Sequence, residues 1–187
     1  FFRSASLGTN IAMKVIMGFV AVYFILIFSV AGVSVYYVLK EKLKESAKMQ
    51  VGQLFPKEFF KGYEQMQSKI QENNQYYLVD FWYSHCGPCI ARFPKLKEIY
   101  HQFHGKGFDI VSISVDRQKD KKDYLAAIKK YGLAWNHVWD KDGINAEKFS
   151  IASFPTYILL DKNGRIINAN IQDNELEAFL KKSLSSL

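Results

Sequence analysis

Apolar positions follow three different rules along this chain. Val15 to Leu39 is an unbroken run of 25 residues without a formal charge, enough to span a bilayer as a tilted helix. Lys14 and Lys40 bracket it, and Tyr36-Tyr37 suit an interfacial position. A cleaved signal peptide has a shorter apolar core and a small-x-small site after it, which is missing here, so the run reads as an uncleaved anchor. Beyond it, Lys40 to Gln53 is polar and reads as a helical extension or linker. Phe55 to Glu72 then places Phe59, Phe60, Tyr63, Met66 and Ile70 at helical spacing, with Pro56 suited to a first turn.

From Tyr76 the pattern changes to short apolar runs separated by amphipathic stretches. Tyr76 to Tyr83 is apolar on both faces, as a central strand requires. A helix is expected over Ile90 to His104, interrupted at Pro94 by the missing donor and ended by Gly105 and Gly107. Phe108 to Val115 is a second strand, Asp120 to Tyr131 an amphipathic helix ending at Gly132, Trp135 to Trp139 a short strand, and Asn145 to Ser150 a brief helix. Thr156 to Asp161 and Arg165 to Ile171 form a hairpin over Lys162-Asn163-Gly164. Asp173 is placed to cap a last helix to about Ser185. The order β-α-β-α-β-α-β-β-α predicts an α/β fold with parallel strands first and an antiparallel edge last. The expected organisation is a flank at 1–14, a transmembrane helix at 15–39, a linker at 40–53 and an α/β domain at 54–187.

The only two cysteines in the chain form one C-x-x-C, Cys86-Gly87-Pro88-Cys89, directly after the first strand. A dithiol there can cycle with a disulfide, and a helix starting at the motif favours the Cys86 thiolate. As a structural staple the pair would close too small a loop to stabilise much. With His101 and His104 it gives C-x2-C-x11-H-x2-H, near a zinc-finger pattern. Both later spacings are short, however, and the intervening stretch is one helix where a finger needs a hairpin. No metal or other cofactor is expected. Net charge is +7, but residues 1–50 hold +4 of it and the remainder +3 with signs interspersed. That balance argues against nucleic-acid binding and suits juxtamembrane lysines on anionic lipid.

LVDFWYSHCGPC resembles the thioredoxin active-site segment. KGFDIVSISVDR, YGLAWNHVWDKDG and FSIASFPTYILLDKNGRII resemble the membrane-anchored TlpA/ResA-like thiol–disulfide oxidoreductases. The likeness runs from about Tyr76 to Leu184 and implies a thioredoxin-like fold, a mixed sheet flanked by helices. It also implies roles for particular residues. Cys86 is the exposed attacking nucleophile and Cys89 the resolving thiol, with Gly87-Pro88 shaping the turn. Phe154-Pro155 is a cis proline beside the thiols, where an extended client can pair. Asp80, in the apolar strand, is buried with a raised pKa and takes the Cys89 proton directly or through water. Trp82 lines the client groove besides packing. Two positions depart from the family pattern. His85 replaces a Trp before the first Cys, and as a cation it would favour thiolate. Arg92 stands where members often carry Glu, so that acid's task falls to Asp80 or is absent.

The opening FFRSASLGTNIAMKVIMGF loosely resembles the lead-in to a membrane helix of bacterial permease-type proteins, which raises the question of a composite chain. The function so implied is a single-pass, membrane-tethered oxidoreductase acting as a reductase of protein disulfides, its redox domain outside the cytoplasm of a bacterial-type cell. A membrane or soluble donor would recharge it. Lys40, Lys42, Lys44 and Lys48 against Arg3 and Lys14 point the other way on orientation. A thiol peroxidase and a non-catalytic binding module on the same fold are the alternatives.

Overall fold

A computed structural model describes residues 29, 32–42, 48–61 and 74–184. The chain divides into two compact units, Phe1–Ser46 and Ala47–Leu187. In the first, residues 32–42 are helical, and Val33 and Val35 to Leu39 are all exposed. Most of the expected membrane span at 15–39 lies outside the described residues. No helix among the described residues is long and apolar enough to cross a membrane.

The second unit is built on a five-stranded mixed sheet. In chain order its elements are β1 (Tyr76–Trp82), α1 (Gly87–Phe103), β2 (Phe108–Ser114), α2 (Lys121–Tyr131), β3 (Asn136–Trp139), α3 (Ile144–Lys148), β4 (Thr156–Asp161), β5 (Ile166–Asn168) and α4 (Asp173–Leu184). The strand order is β3-β2-β1-β4-β5. β1–β2 and β2–β3 are parallel, while β1–β4 and β4–β5 are antiparallel, as the early crossovers and the late hairpin predict. The expected thioredoxin-like α/β architecture is therefore present.

β1 sits at the centre, and its alternation sends side chains to two cores. Leu78 and Trp82 pack with the cysteines, Phe93, Leu96 and Ile99 of α1, and Leu176 and Leu180 of α4. Tyr77, Val79 and Phe81 pack on the other face with Phe55, Phe59 and Phe60. Helix α1 buries Cys89, Phe93, Leu96, Ile99 and Phe103, a stripe at helical spacing. It starts at Gly87, three residues before the expected Ile90, because Pro88 lies in the first turn where a missing N–H costs nothing. Pro94 lies on the exposed side of a helix that continues through it rather than interrupting it. Lys95 of α1 reaches Glu177 of α4 at 2.7 Å.

Several expectations need correction. The helix expected from Phe55 to Glu72 is, over its described part, a single 3-10 turn at Lys57–Phe60, and the chain leaves helical geometry at Lys61 (φ −58, ψ 120). The competing pull is the sheet edge: Leu54 bridges Arg165, and Phe55 N–H donates to Gly164 C=O at 2.8 Å. The apolar spacing of Phe55, Phe59 and Phe60 serves burial against β1 instead. Residues 62–73 lie outside the described set. β5 is shorter than Arg165 to Ile171, because Asn168 Oδ1 accepts Asn170 N–H at 2.9 Å and turns the chain. Asp173 does not act as the cap of α4. Its carboxylate meets Arg92, and Glu175 reaches back to Gln172 N–H at 3.1 Å.

Candidate active site

The site forms where β1 ends and α1 begins. Cys86 is the N-cap of α1 and is disulfide-bonded to Cys89, with Cα atoms 5.2 Å apart. Cys86 Sγ accepts the Cys89 backbone N–H at 3.1 Å, and Cys86 C=O accepts Ile90 N–H at 3.0 Å. The Cys89 amide and the helix dipole thus both act on Cys86 Sγ and favour negative charge there. Both cysteines are 1% exposed, which corrects the expectation that Cys86 alone is exposed. In the disulfide state the two sulfurs differ by position at the cap, not by accessibility. Gly87 and Pro88 form the exposed rim above them, and open space surrounds the point where a Gly87 Cβ would stand.

Asp80 is 1% exposed and belongs to the same sheet face as Leu78 and Trp82, the face that α1 and the cysteines cover. β2 places Ser112 opposite it and β4 places Tyr157 opposite it on the other side. Ser112 Oγ donates to Asp80 Oδ2 at 2.6 Å, while Asp80 Oδ1 is buried without a partner among the described residues. Burial pushes the Asp80 pKa up from 3.8 to about 7; the Ser112 bond and the Arg92 charge oppose that rise. Burial and a raised pKa were both expected of this residue. Arg92 reaches from α1 to Asp173 Oδ2 at 3.0 Å and to Gln172 Oε1 at 3.2 Å, and its guanidinium lies 4.7 Å from the centre of the Tyr157 ring. The cation that departs from the resembled family's pattern is therefore paired with an acid from α4.

Trp82 is 0% exposed, packed edge-on against Phe93 with centroids 5.3 Å apart. A side chain with no surface cannot line a client groove, so its expected binding role is corrected to packing. The aromatic residue that does face outward beside the motif is Tyr83, 37% exposed. Its ring meets Phe154 edge to face at 5.7 Å, and the Phe154–Pro155 peptide is cis as expected. Tyr83 thus carries the surface position assigned to Trp82. His85 is exposed and its Nε2 lies 3.1 Å from Asp123 Oδ2, an ion pair when the imidazole is protonated.

The sequence reading missed Asp116. It is buried just after β2 and accepts Ser84 N–H at 3.1 and 3.0 Å, Ser84 Oγ at 2.6 Å and Ser114 Oγ at 2.6 Å. Its own carbonyl accepts Trp139 Nε1 at 2.9 Å. Through Ser84 it holds the loop two residues before Cys86. The one local hint was Ser114, a hydroxyl in an otherwise apolar strand that needs a buried partner; nothing local pointed to Ser84.

The zinc pattern finds no support in the geometry. Cys89 and His101 lie on one continuous helix, about 18 Å apart along its axis. Among the described residues, the His, Cys, Asp and Glu atoms that converge are those of His85, Asp120 and Asp123 at the surface.

A family model described as Thioredoxin-like matches residues 73–166. Another, described as a family of unknown function (DUF5687), matches residues 1–55. The chain is 28% identical over 108 residues to the thiol-disulfide oxidoreductase ResA of Bacillus thuringiensis subsp. konkukian, covering 56% of this chain and 61% of ResA. It therefore spans about three fifths of that relative. The thioredoxin-like protein YneN of Bacillus subtilis is 26% identical over 161 residues, covering 86% of this chain and 91% of YneN. Among solved structures, the thioredoxin domain of a thiol-disulfide oxidoreductase from Bacteroides vulgatus has a TM-score of 0.55 at 32% identity, covering 63% of this chain and 83% of that domain.

Proposed function

The chain belongs to the thioredoxin-like family, and we propose that it is a membrane-tethered thiol–disulfide oxidoreductase that reduces protein disulfides. The observation that carries this reading is the Cys86–Cys89 disulfide at the N-cap of α1, on the sheet face that also buries Asp80. The relatives named as thiol-disulfide oxidoreductases support it.

In the reduced protein, Cys86 thiolate attacks one sulfur of a client disulfide. A Cys86–client bond forms, the client S–S bond breaks, and the client's other sulfur leaves as thiolate. Cys89 then gives its proton to Asp80 and attacks Cys86 Sγ. The Cys86–Cys89 bond forms, and the electron pair of the Cys86–client bond leaves with the second client sulfur. The client gains two electrons and this chain loses two, which a membrane or soluble donor restores. Gly87, Pro88, Tyr83, Phe154 and Pro155 form the surface offered to the client. Arg92 acts at a distance, its charge favouring ionised Asp80.

The tether is the uncharged stretch 15–39, and the exposed apolar residues Val33 and Val35 to Leu39 suit lipid better than water. Residues 54–187 form the redox domain, and the TlpA/ResA-like resemblance supports a location outside the cytoplasm. Phosphate-free pull-down under alkylation tests the chemistry: Cys89→Ser accumulates mixed disulfides with clients, and Cys86→Ser accumulates none. Equal accumulation by both variants overturns the assignment.

A further inference from the structure

Asp80 has two oxygens in different situations, and the cause lies one strand away. Ser112 Oγ carries a single proton and can both donate and accept. Trp135 Nε1, which can only donate, points at that oxygen from 2.7 Å. With its accepting side occupied by the indole, the Ser112 hydroxyl is turned to donate, and it donates to Asp80 Oδ2 at 2.6 Å. All three groups are buried. The polarity of the chain Trp135 to Ser112 to Asp80 is therefore fixed by the donor-only indole. Oδ2 is engaged as an acceptor, and Oδ1 is left buried and unpartnered among the described residues.

We propose that Ser112 and Trp135 are positioning residues that make Asp80 Oδ1 the oxygen receiving the Cys89 proton during resolution of the mixed disulfide. The proposal rests on the dithiol-exchange reading above. In that step the Cys89 S–H bond breaks and an Oδ1–H bond forms, and Cys89 sulfur takes Cys86 Sγ as the client sulfur leaves with its electron pair. The relay also keeps Asp80 ionised over a wider pH range, since a hydrogen bond to Oδ2 stabilises the carboxylate. The other groups facing Asp80 are Arg92 from α1, whose charge lowers its pKa, Asp173 from α4, whose charge raises it, and Tyr157 from β4. On β3, His137 lies opposite Ser112.

The test uses the full chain in detergent with oxidised glutathione as the disulfide. Rapid quenching follows formation and decay of the Cys86–glutathione adduct from pH 5.5 to 9.5, and 13C NMR of labelled aspartate follows the Asp80 carboxyl directly. Ser112→Ala should move the midpoint for resolution, and the Asp80 titration, upward by about one pH unit, the worth of one hydrogen bond to a charged group. The rate of adduct formation should be unchanged. Trp135→Phe should move both in the same direction by less, and Ser112→Thr, which keeps the hydroxyl, should restore them. Unmoved midpoints in Ser112→Ala and Trp135→Phe, with Asp80→Asn abolishing the pH step, overturn the relay and leave the base role intact. An Asp80→Asn protein resolving at the wild-type rate overturns the base role itself.

Discussion

Two aspartates are buried near the start of α1, Asp80 in β1 and Asp116 bonded to Ser84 two residues before Cys86, and their surroundings could hardly differ more. Asp116 accepts from the Ser84 amide and from the hydroxyls of Ser84 and Ser114. Asp80 accepts from Ser112 and leaves Oδ1 without a partner among the described residues. A buried carboxylate supplied with donors on both oxygens is a strut: its charge is compensated, and moving it breaks several bonds at once. One supplied on a single oxygen sits near its own titration point, with a free position to receive a proton. The count of donors, rather than burial, separates the group that holds the loop from the group that suits proton transfer.

The sharpest break in this contrast is Asp116→Ala. It strands three buried donors, each costing about 1–3 kcal/mol when left unpaired. The variant should lose roughly 3 kcal/mol or more of stability, read as a lower urea midpoint of the oxidised protein. Asp116→Asn, which keeps one accepting oxygen, should lose less. Wild-type stability in Asp116→Ala would show that the strut holds nothing.

Asp80→Asn should do the reverse at neutral to alkaline pH. The folded pKa of about 7 exceeds the ordinary 3.8, so the unfolded chain releases the proton first. Stability is full below pH 3.8, falls as pH rises through the interval and levels off above about 7. Between pH 5 and 8 the wild type should lose about 2–3 kcal/mol from this group alone. Asp80→Asn should be free of that loss, so its melting temperature should gain on the wild type as pH rises. A gap that stays constant across this range would mean that Asp80 is ionised in the fold and that the contrast with Asp116 is false.

How much of this could be seen in the chain alone follows from what each residue's signal depends on. Cys86, Cys89 and Asp80 were legible because the motif and an acid inside an apolar strand are local patterns. The strand order was legible from the alternation of apolar runs and amphipathic stretches. Asp116 was not, since its meaning depends on Ser84, 32 positions earlier, which only the β1–β2 register brings near. Trp82 was given a groove role from its closeness to the motif, although alternation puts it on the same buried face as Asp80, and Tyr83 was passed over. Phe55 to Phe60 misled for a related reason. A helical spacing of aromatics also suits a short turn lying on a sheet, and the pairing of Leu54 and Phe55 with the β4–β5 hairpin outweighed helix propensity.

The smallest effect belongs to His85, next to Cys86 in sequence but on the outer side of the contrast. Its imidazole is 63% exposed, and Asp123, 56% exposed, is its partner at 3.1 Å. The carboxylate offsets whatever charge the ring carries, and water and salt screen both. His85→Trp and Asp123→Asn should each change the equilibrium constant with glutathione by about threefold or less, as surface pairs do. Asp123→Asn should move it toward a more stable Cys86 thiolate and a more oxidising disulfide, since it removes the counter-charge and leaves the imidazole to act on Cys86 alone. That shift should shrink further in 0.5 M salt, where screening lengths fall to a few ångströms. A tenfold change in either variant, about 30 mV for a two-electron couple, would mean that the exposed ring governs Cys86 more strongly than any buried group, and that the donors inside the sheet are not where this site is tuned.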